Sequence, residues 1–152
     1  MNLAPNKTII RSATENDAAD ILALVRELAI YEKAEDQVTA SVQDYKSSLK
    51  EGKIYCKVAE IDTQIVGIAL YYQTFSTWRG LMYYLEDFVV SEKYRSCGIG
   101  QLLMKAYLKE AKEAGAVLVK WQVLDWNEPA IQFYVKMGAT IEKEWWNVKM
   151  FL

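Results

Sequence analysis

Histidine is missing from all 152 residues. Its absence removes the Ser-His-Asp and Cys-His nucleophile arrangements, and with them the usual zinc ligand sets. Cysteine is almost missing too. Cys56 and Cys97 are too few for a metal cluster, and a disulfide between them does not suit a reducing compartment. No metal is therefore expected. No apolar run approaches the roughly 18 residues that a membrane-spanning helix needs. The opening Met1-Asn2-Leu3-Ala4-Pro5-Asn6-Lys7 has no charged end followed by an apolar stretch, so no leader is expected and the cytoplasm is the default location. Neither sign of charge is in large surplus. The net charge is −2 and the Lys and Arg residues are dispersed, so neither a nucleic-acid nor a membrane partner is expected.

What is present reads as an ordinary globular chain, 52% hydrophobic and 25% charged, with residues 1–152 expected to form a single domain. No repeat, linker or low-complexity segment interrupts it. Lys7 to Arg11 predicts a first strand. Thr14 with Asp17 forms a capping-box start, and Ile21, Leu24, Val25 and Leu28 follow at helical spacing. Ser41 opens a shorter helix to about Lys50. Ile54–Ile61 and Ile65–Thr74 predict a hairpin joined by Asp62-Thr63-Gln64, and Leu81–Val90 a further strand. A helix from Ile99 to Ala114 ends at Gly115, and Ala116–Leu124 predicts another strand. Asn127 caps a helix with Pro129 in its first turn, whose inward stripe is Ile131, Tyr134 and Val135 and whose end is Gly138. Two last strands are expected at Ala139–Lys143 and Trp145–Phe151.

The most informative stretch is Arg95-Ser96-Cys97-Gly98-Ile99-Gly100, lying between a strand and a helix. Glycines allow a tight turn and close approach of a ligand, and the first N–H groups of a helix suit an anion such as a pyrophosphate. Arg95 adds a fixed positive charge. Gly98-Ile99-Gly100-Gln101-Leu102-Leu103 lacks the third glycine of a dinucleotide fingerprint, and no Gly-Lys-Ser/Thr is present for a nucleoside-triphosphate loop. Cys97 has no base beside it to support a covalent acyl carrier.

Arg-x-x-Gly-x-Gly resembles the pyrophosphate loop of the GNAT acetyltransferases. Two further segments carry the resemblance. Trp126 to Gly138, with Asn127-Glu128-Pro129-Ala130 and Phe133-Tyr134, is similar to the family's Asn-to-Tyr segment. Tyr84-Leu85-Glu86-Asp87-Phe88 looks like the spermidine/spermine N-acetyltransferase branch, as does Ile10 to Glu32. The resemblance implies an α/β (α+β) GNAT fold: a central mixed, mostly antiparallel sheet of six to seven strands flanked by about four helices. Strands 81–90 and 116–124 would splay apart to admit the arm of acetyl-CoA. It implies cofactor contacts from Phe88, Val89, Val90, Arg95, Ser96, Cys97, Gly98, Ile99, Gly100 and Gln101, and from Asn127, Glu128, Pro129, Ala130 and Tyr134. Tyr134 would be the general acid. Glu86, a carboxylate in an apolar strand, is the candidate base through a water chain, with Asp87 expected on the opposite side of the strand. Tyr31, Glu32, Glu86, Lys120, Trp121 and Gln122 would border the acceptor, with Lys120 a departure because a cation there repels a polyamine. The implied activity is acetylation of a diamine, polyamine or lysine-like amine, and the implied assembly is a homodimer. A protein or peptide acceptor and a non-catalytic acetyl-CoA-binding module remain open alternatives.

Overall fold

The computed structural model describes residues 7–152, which divide into two compact units, one ending at Trp121 and the other running from Gln122 to Leu152. The first unit is built on a five-stranded sheet in sequence order: β1 (Ile9–Ser12), β2 (Tyr55–Ile61), β3 (Gln64–Ser76), β4 (Gly80–Val90) and β5 (Leu118–Lys120). The first four strands are antiparallel neighbours, and β5 runs parallel to β4. The fold is thus mixed α/β, with a mostly antiparallel sheet, as expected. The β2–β3 hairpin turns on Asp62 and Thr63, both at positive φ (48° and 66°), the twist that a two-residue hairpin loop requires.

Among the described residues, three α-helices belong to this unit: α1 (Ala18–Tyr31), α2 (Val42–Lys50) and α3 (Ile99–Glu113). One sheet face packs Val58, Ile68, Leu70 and Val89 against Ile21 and Leu24 of α1. The other packs Ala59, Ile61 and Val66 against Ile99 and Leu103 of α3, with Phe88 and Val90 alongside. The predicted capping box at Thr14 is present: its N–H donates to Asp17 Oδ2 (2.7 Å), and its hydroxyl accepts from Asn16 N–H. It opens a 3₁₀ turn (Glu15–Asp17) that runs into α1. Asp17 also accepts from both Nη atoms of Arg11 at 2.9 Å, while Arg11 Nε donates to Glu60. That bidentate guanidinium holds the Asp17 carboxyl below its usual range.

In the second unit, α4 (Glu128–Lys136) starts at Asn127, whose side-chain oxygen accepts from Ala130 N–H, and ends before Gly138, whose φ of 89° suits glycine alone. Val135 is exposed rather than part of an inward stripe. The strand count is lower than expected. Among the described residues Ala139–Lys143 and Trp145–Phe151 form no ladder, and of the predicted Ala116–Leu124 only Leu118–Lys120 pairs. Alternating apolar residues favour a strand, but a strand exists only with a partner to satisfy its backbone. Trp146 and Val148 are 90% and 93% exposed.

Candidate active site

The turn into α3 has no side-chain cap, unlike the starts at Thr14, Ser41 and Asn127. Thr14, Ser41 and Asn127 each supply a side-chain oxygen to the helix they open. Gly98 supplies none, and it sits at φ 81°. A Cβ there would meet nothing within 4 Å, so the backbone conformation, rather than crowding, calls for glycine. Ser96 is also left-handed, at φ 62°. The first intrahelical bond runs from Leu102 N–H to Gly98 carbonyl, so the N–H groups of Ile99, Gly100 and Gln101 precede the ladder. Left-handed residues flanking Cys97 and an uncapped helix start together form the kind of concave N–H array that receives anionic oxygens. Ile99 is buried and anchors the helix, whereas Ser96, Gly98 and Gln101 are exposed and Cys97 is half-buried, its thiol near Arg95 carbonyl (3.4 Å).

Arg95 stands at the mouth of this turn. Its Nε donates to Val90 carbonyl (3.0 Å), and its guanidinium lies over the ring of Tyr31, 5.3 Å from the centroid. The β4–β5 ladder stops at Tyr84 and Lys120, yet β4 continues to Val90. Phe88, Val89 and Val90 therefore lie past the end of the pairing on that edge, where an extended arm can run beside β4. Val89 itself points into the α1 core.

The acidic pair in β4 does not stand as alternation predicts. Leu70 pairs with Asp87 and Tyr71 with Leu85, so Glu86 is an extra residue, a β-bulge. Tyr83 packs on Tyr107 of α3, and five positions later Phe88 faces the α3 side again. Strict alternation would put them on opposite faces. Leu70 lies in the α1 core, so its cross-strand partner Asp87 shares that face. Glu86 accepts from Tyr72 Oη (3.3 Å), and the Tyr72 ring stacks on its cross-strand partner Tyr84. Both carboxylates thus attend the α1–α2 side. The expected burial is reversed as well: Glu86 is exposed and Asp87 is half-buried. Burial, then the negative charges of Glu86 and Glu32, push the Asp87 carboxyl up to about 6. Burial also raises Glu32, at the end of α1. Tyr45 of α2 completes the cluster: burial foremost, and then the Asp87 and Glu86 charges, push its phenol up to about 12. The face that Asp87 shares with Glu86, and Tyr45 and Tyr72 beside it, are features that sequence reasoning missed. Only the bulge reveals them, and the apolar residues on both sides of β4 give no local sign of it. Among the described residues, no group of three His, Cys, Asp or Glu side chains is placed to hold a metal ion.

The remaining candidates lie elsewhere. Lys120 is exposed at the end of β5 and Trp121 follows it, half-buried. In the second unit, Gln122 Nε2 donates to Asn147 Oδ1 (2.7 Å). There too, Tyr134 is buried, its ring edge-on to Phe133 at 5.6 Å. Asn127 caps α4, Glu128 accepts from Gln132 Nε2 (2.6 Å), Pro129 is exposed in the first turn and Ala130 is half-buried.

The model of the acetyltransferase (GNAT) family matches residues 19–139, more than half of the chain. The chain belongs to the GNAT acetyltransferase family. Its activity is accordingly acetyl-CoA-dependent N-acetylation. Among relatives, it is 39% identical to a thialysine N-epsilon-acetyltransferase of Bos taurus, over 94% of this chain and 91% of that one. It is 32% identical to the human spermidine/spermine N(1)-acetyltransferase-like protein 1, over 93% of this chain but 22% of that longer one. In fold, it superposes on the crystal structure of an aminoglycoside acetyltransferase from an uncultured soil metagenomic sample with a TM-score of 0.83, at 22% identity, covering 97% and 98% of the two chains. No described helix of this GNAT chain is long and apolar enough to cross a membrane.

Proposed function

We propose that this GNAT enzyme acetylates a primary amine of a small diamine, polyamine or lysine-like amino acid by direct attack on acetyl-CoA. The carrying observation is the cluster of Glu32, Glu86 and Asp87, where burial foremost, and then the negative charges of Glu86 and Glu32, push the Asp87 carboxyl up to about 6. A second ammonium on the acceptor supplies the missing countercharge. Tyrosines 45, 72 and 84 give the cluster apolar walls that suit a methylene chain. The bovine relative is named a thialysine N-epsilon-acetyltransferase and the human one a spermidine/spermine N(1)-acetyltransferase-like protein, and thialysine, spermidine and spermine are amines of this class.

In this reading the turn at residues 95–101 holds the pyrophosphate through main-chain N–H groups, and the Phe88–Val90 edge guides the pantetheine arm. Asn127 to Ala130 contribute further cofactor contacts. Acetyl-CoA supplies the activated acyl group. Asp87 and Glu32 hold the distal ammonium, and Lys120, Trp121 and Gln122 border the acceptor. Glu86, exposed at the bulge, takes the proton of the reacting amine through water and passes it to solvent. Tyr134 donates to the departing sulfur. The whole of residues 1–152 acts as one catalytic domain in the cytoplasm. The exposed run Trp145 to Phe151 supports assembly as a homodimer, which sedimentation tests.

The deciding experiment is thiol release from acetyl-CoA with putrescine, spermidine, spermine, thialysine, lysine and small peptides. Dicationic acceptors are expected to outpace a monoamine of equal length. A preference for peptides would move the acceptor to the protein class, and no release with any amine would sink the assignment. Tyr134→Phe is expected to lower kcat at least tenfold with acetyl-CoA affinity unchanged. An unchanged kcat removes Tyr134 from the chemistry.

A further inference from the structure

The last two turns of α1 hold the segment that leads into the pyrophosphate turn at two points. Glu27 and Tyr31, four residues apart, lie on one helix face. Glu27 Oε1 accepts from Glu92 N–H at 2.9 Å. Tyr31 places its ring 5.3 Å from the Arg95 guanidinium. Arg95 is further tied to β4 through Nε and Val90 carbonyl, 3.0 Å. None of these contacts involves Glu32 or Asp87, although Glu32 is the next residue after Tyr31.

We infer that Tyr31 is a positioning residue for acetyl-CoA, fixing Arg95 for the pyrophosphate, and does not line the acceptor pocket. The inference rests on the reading that residues 95–101 receive acetyl-CoA. A guanidinium carries five N–H donors in a rigid fork. Here Nε is spent on β4 and one face of the plane is covered by an aromatic ring, while the four Nη hydrogens form the edge that takes phosphate oxygens two at a time. A free arginine side chain must be ordered when the phosphate binds, and that ordering opposes binding. The ring and the Val90 carbonyl order it beforehand. Neighbouring residues at the end of α1 then serve different substrates: Tyr31 the acyl donor, Glu32 the amine.

The test is calorimetric titration of acetyl-CoA into the full chain and its variants, with the KM for the amine measured in parallel. Tyr31→Ala is expected to weaken acetyl-CoA about fivefold, the size of a surface cation–π contact with some added ordering cost. Tyr31→Phe keeps the ring and is expected to stay within twofold of the parent. In an Arg95→Ala background, Tyr31→Ala is expected to have no further effect, because the two side chains act as one unit. The amine KM stays within twofold throughout. Additive losses overturn the inference, as does a Tyr31→Ala variant that keeps its acetyl-CoA affinity while its amine KM rises. A parent chain that gives no heat with acetyl-CoA overturns the cofactor reading and the inference with it.

Discussion

Asp17 and Asp87 are the same residue type, each partly withdrawn from water beside the α1 side of the sheet, and they are opposites. Asp17 has a guanidinium across both oxygens and a backbone N–H from Thr14, and its carboxyl is held low. Asp87 is raised by burial first and then by the charges of Glu86 and Glu32, and its carboxyl rises to about 6. The first is a finished interaction that fastens β1 to the start of α1. The second is an unfinished one. A folded chain gains nothing from gathering like charges out of water. The arrangement makes sense when something outside the chain completes it, and in the proposed function that is a cationic amine.

That contrast has measurable edges. Asp87→Asn is expected to lower kcat/KM for a dicationic acceptor about a hundredfold, near 2.7 kcal/mol of transition-state binding, in steady-state kinetics. A loss equally large for a monoamine of similar length would mean that Asp87 does not hold the second charge. The same variant is expected to melt several degrees higher than the parent at pH 7. Asp17→Asn breaks a charge-assisted pair and is expected to cost about 2 kcal/mol of stability with kcat retained, read by urea unfolding. If it instead abolishes activity in a folded protein, the division between the two aspartates fails.

The pH dependences run in opposite senses. A carboxyl held low when folded contributes stability above its unfolded pKa of about 4 and loses it as pH falls through the folded value. A carboxyl raised to about 6 contributes stability below about 4 and loses it as pH rises through 6. Melting curves from pH 3 to 8 are therefore expected to lose their decline between pH 4 and 6 in Asp87→Asn, and to lose part of their acid limb in Asp17→Asn. The smallest effect belongs to a third aspartate. Asp44 accepts from the N–H and hydroxyl of Ser41 in a fully exposed capping box. Asp44→Asn is expected to move the melting temperature less than Asp17→Asn does, and to leave the rate alone.

Much of this was legible beforehand, and the reason differs from place to place. The Thr14–Asp17 and Ser41 starts, the hairpin at Asp62 and Thr63, and the helix ending at Gly138 are local: the residues that specify them also make the bonds. The Gly98 turn is local as well: the glycine that marks it in the sequence is the residue that adopts its left-handed backbone. Whether a strand forms is not local. Trp145–Phe151 has the alternation, but among the described residues no partner strand meets it. The placement of Asp87 is less local still. It depends on which residue of β3 faces which residue of β4, and residues 81–90 are apolar on both sides, so nothing in their order betrays the extra position. The Tyr31–Arg95 stack joins residues far apart in the chain, and neither end announces the other.

The bulge at Glu86 sets the phase of everything that follows it in β4. Before it, odd-numbered side chains face α3; after it, even-numbered ones do. Removing that one residue would therefore be a different kind of lesion from replacing it. Val89 would turn out of the α1 core, Phe88 and Val90 would leave the α3 side, and Asp87 would swing beneath the sheet. A substitution at position 86 edits one contact, whereas a deletion there rewrites the address of each side chain down to the turn at residues 95–101.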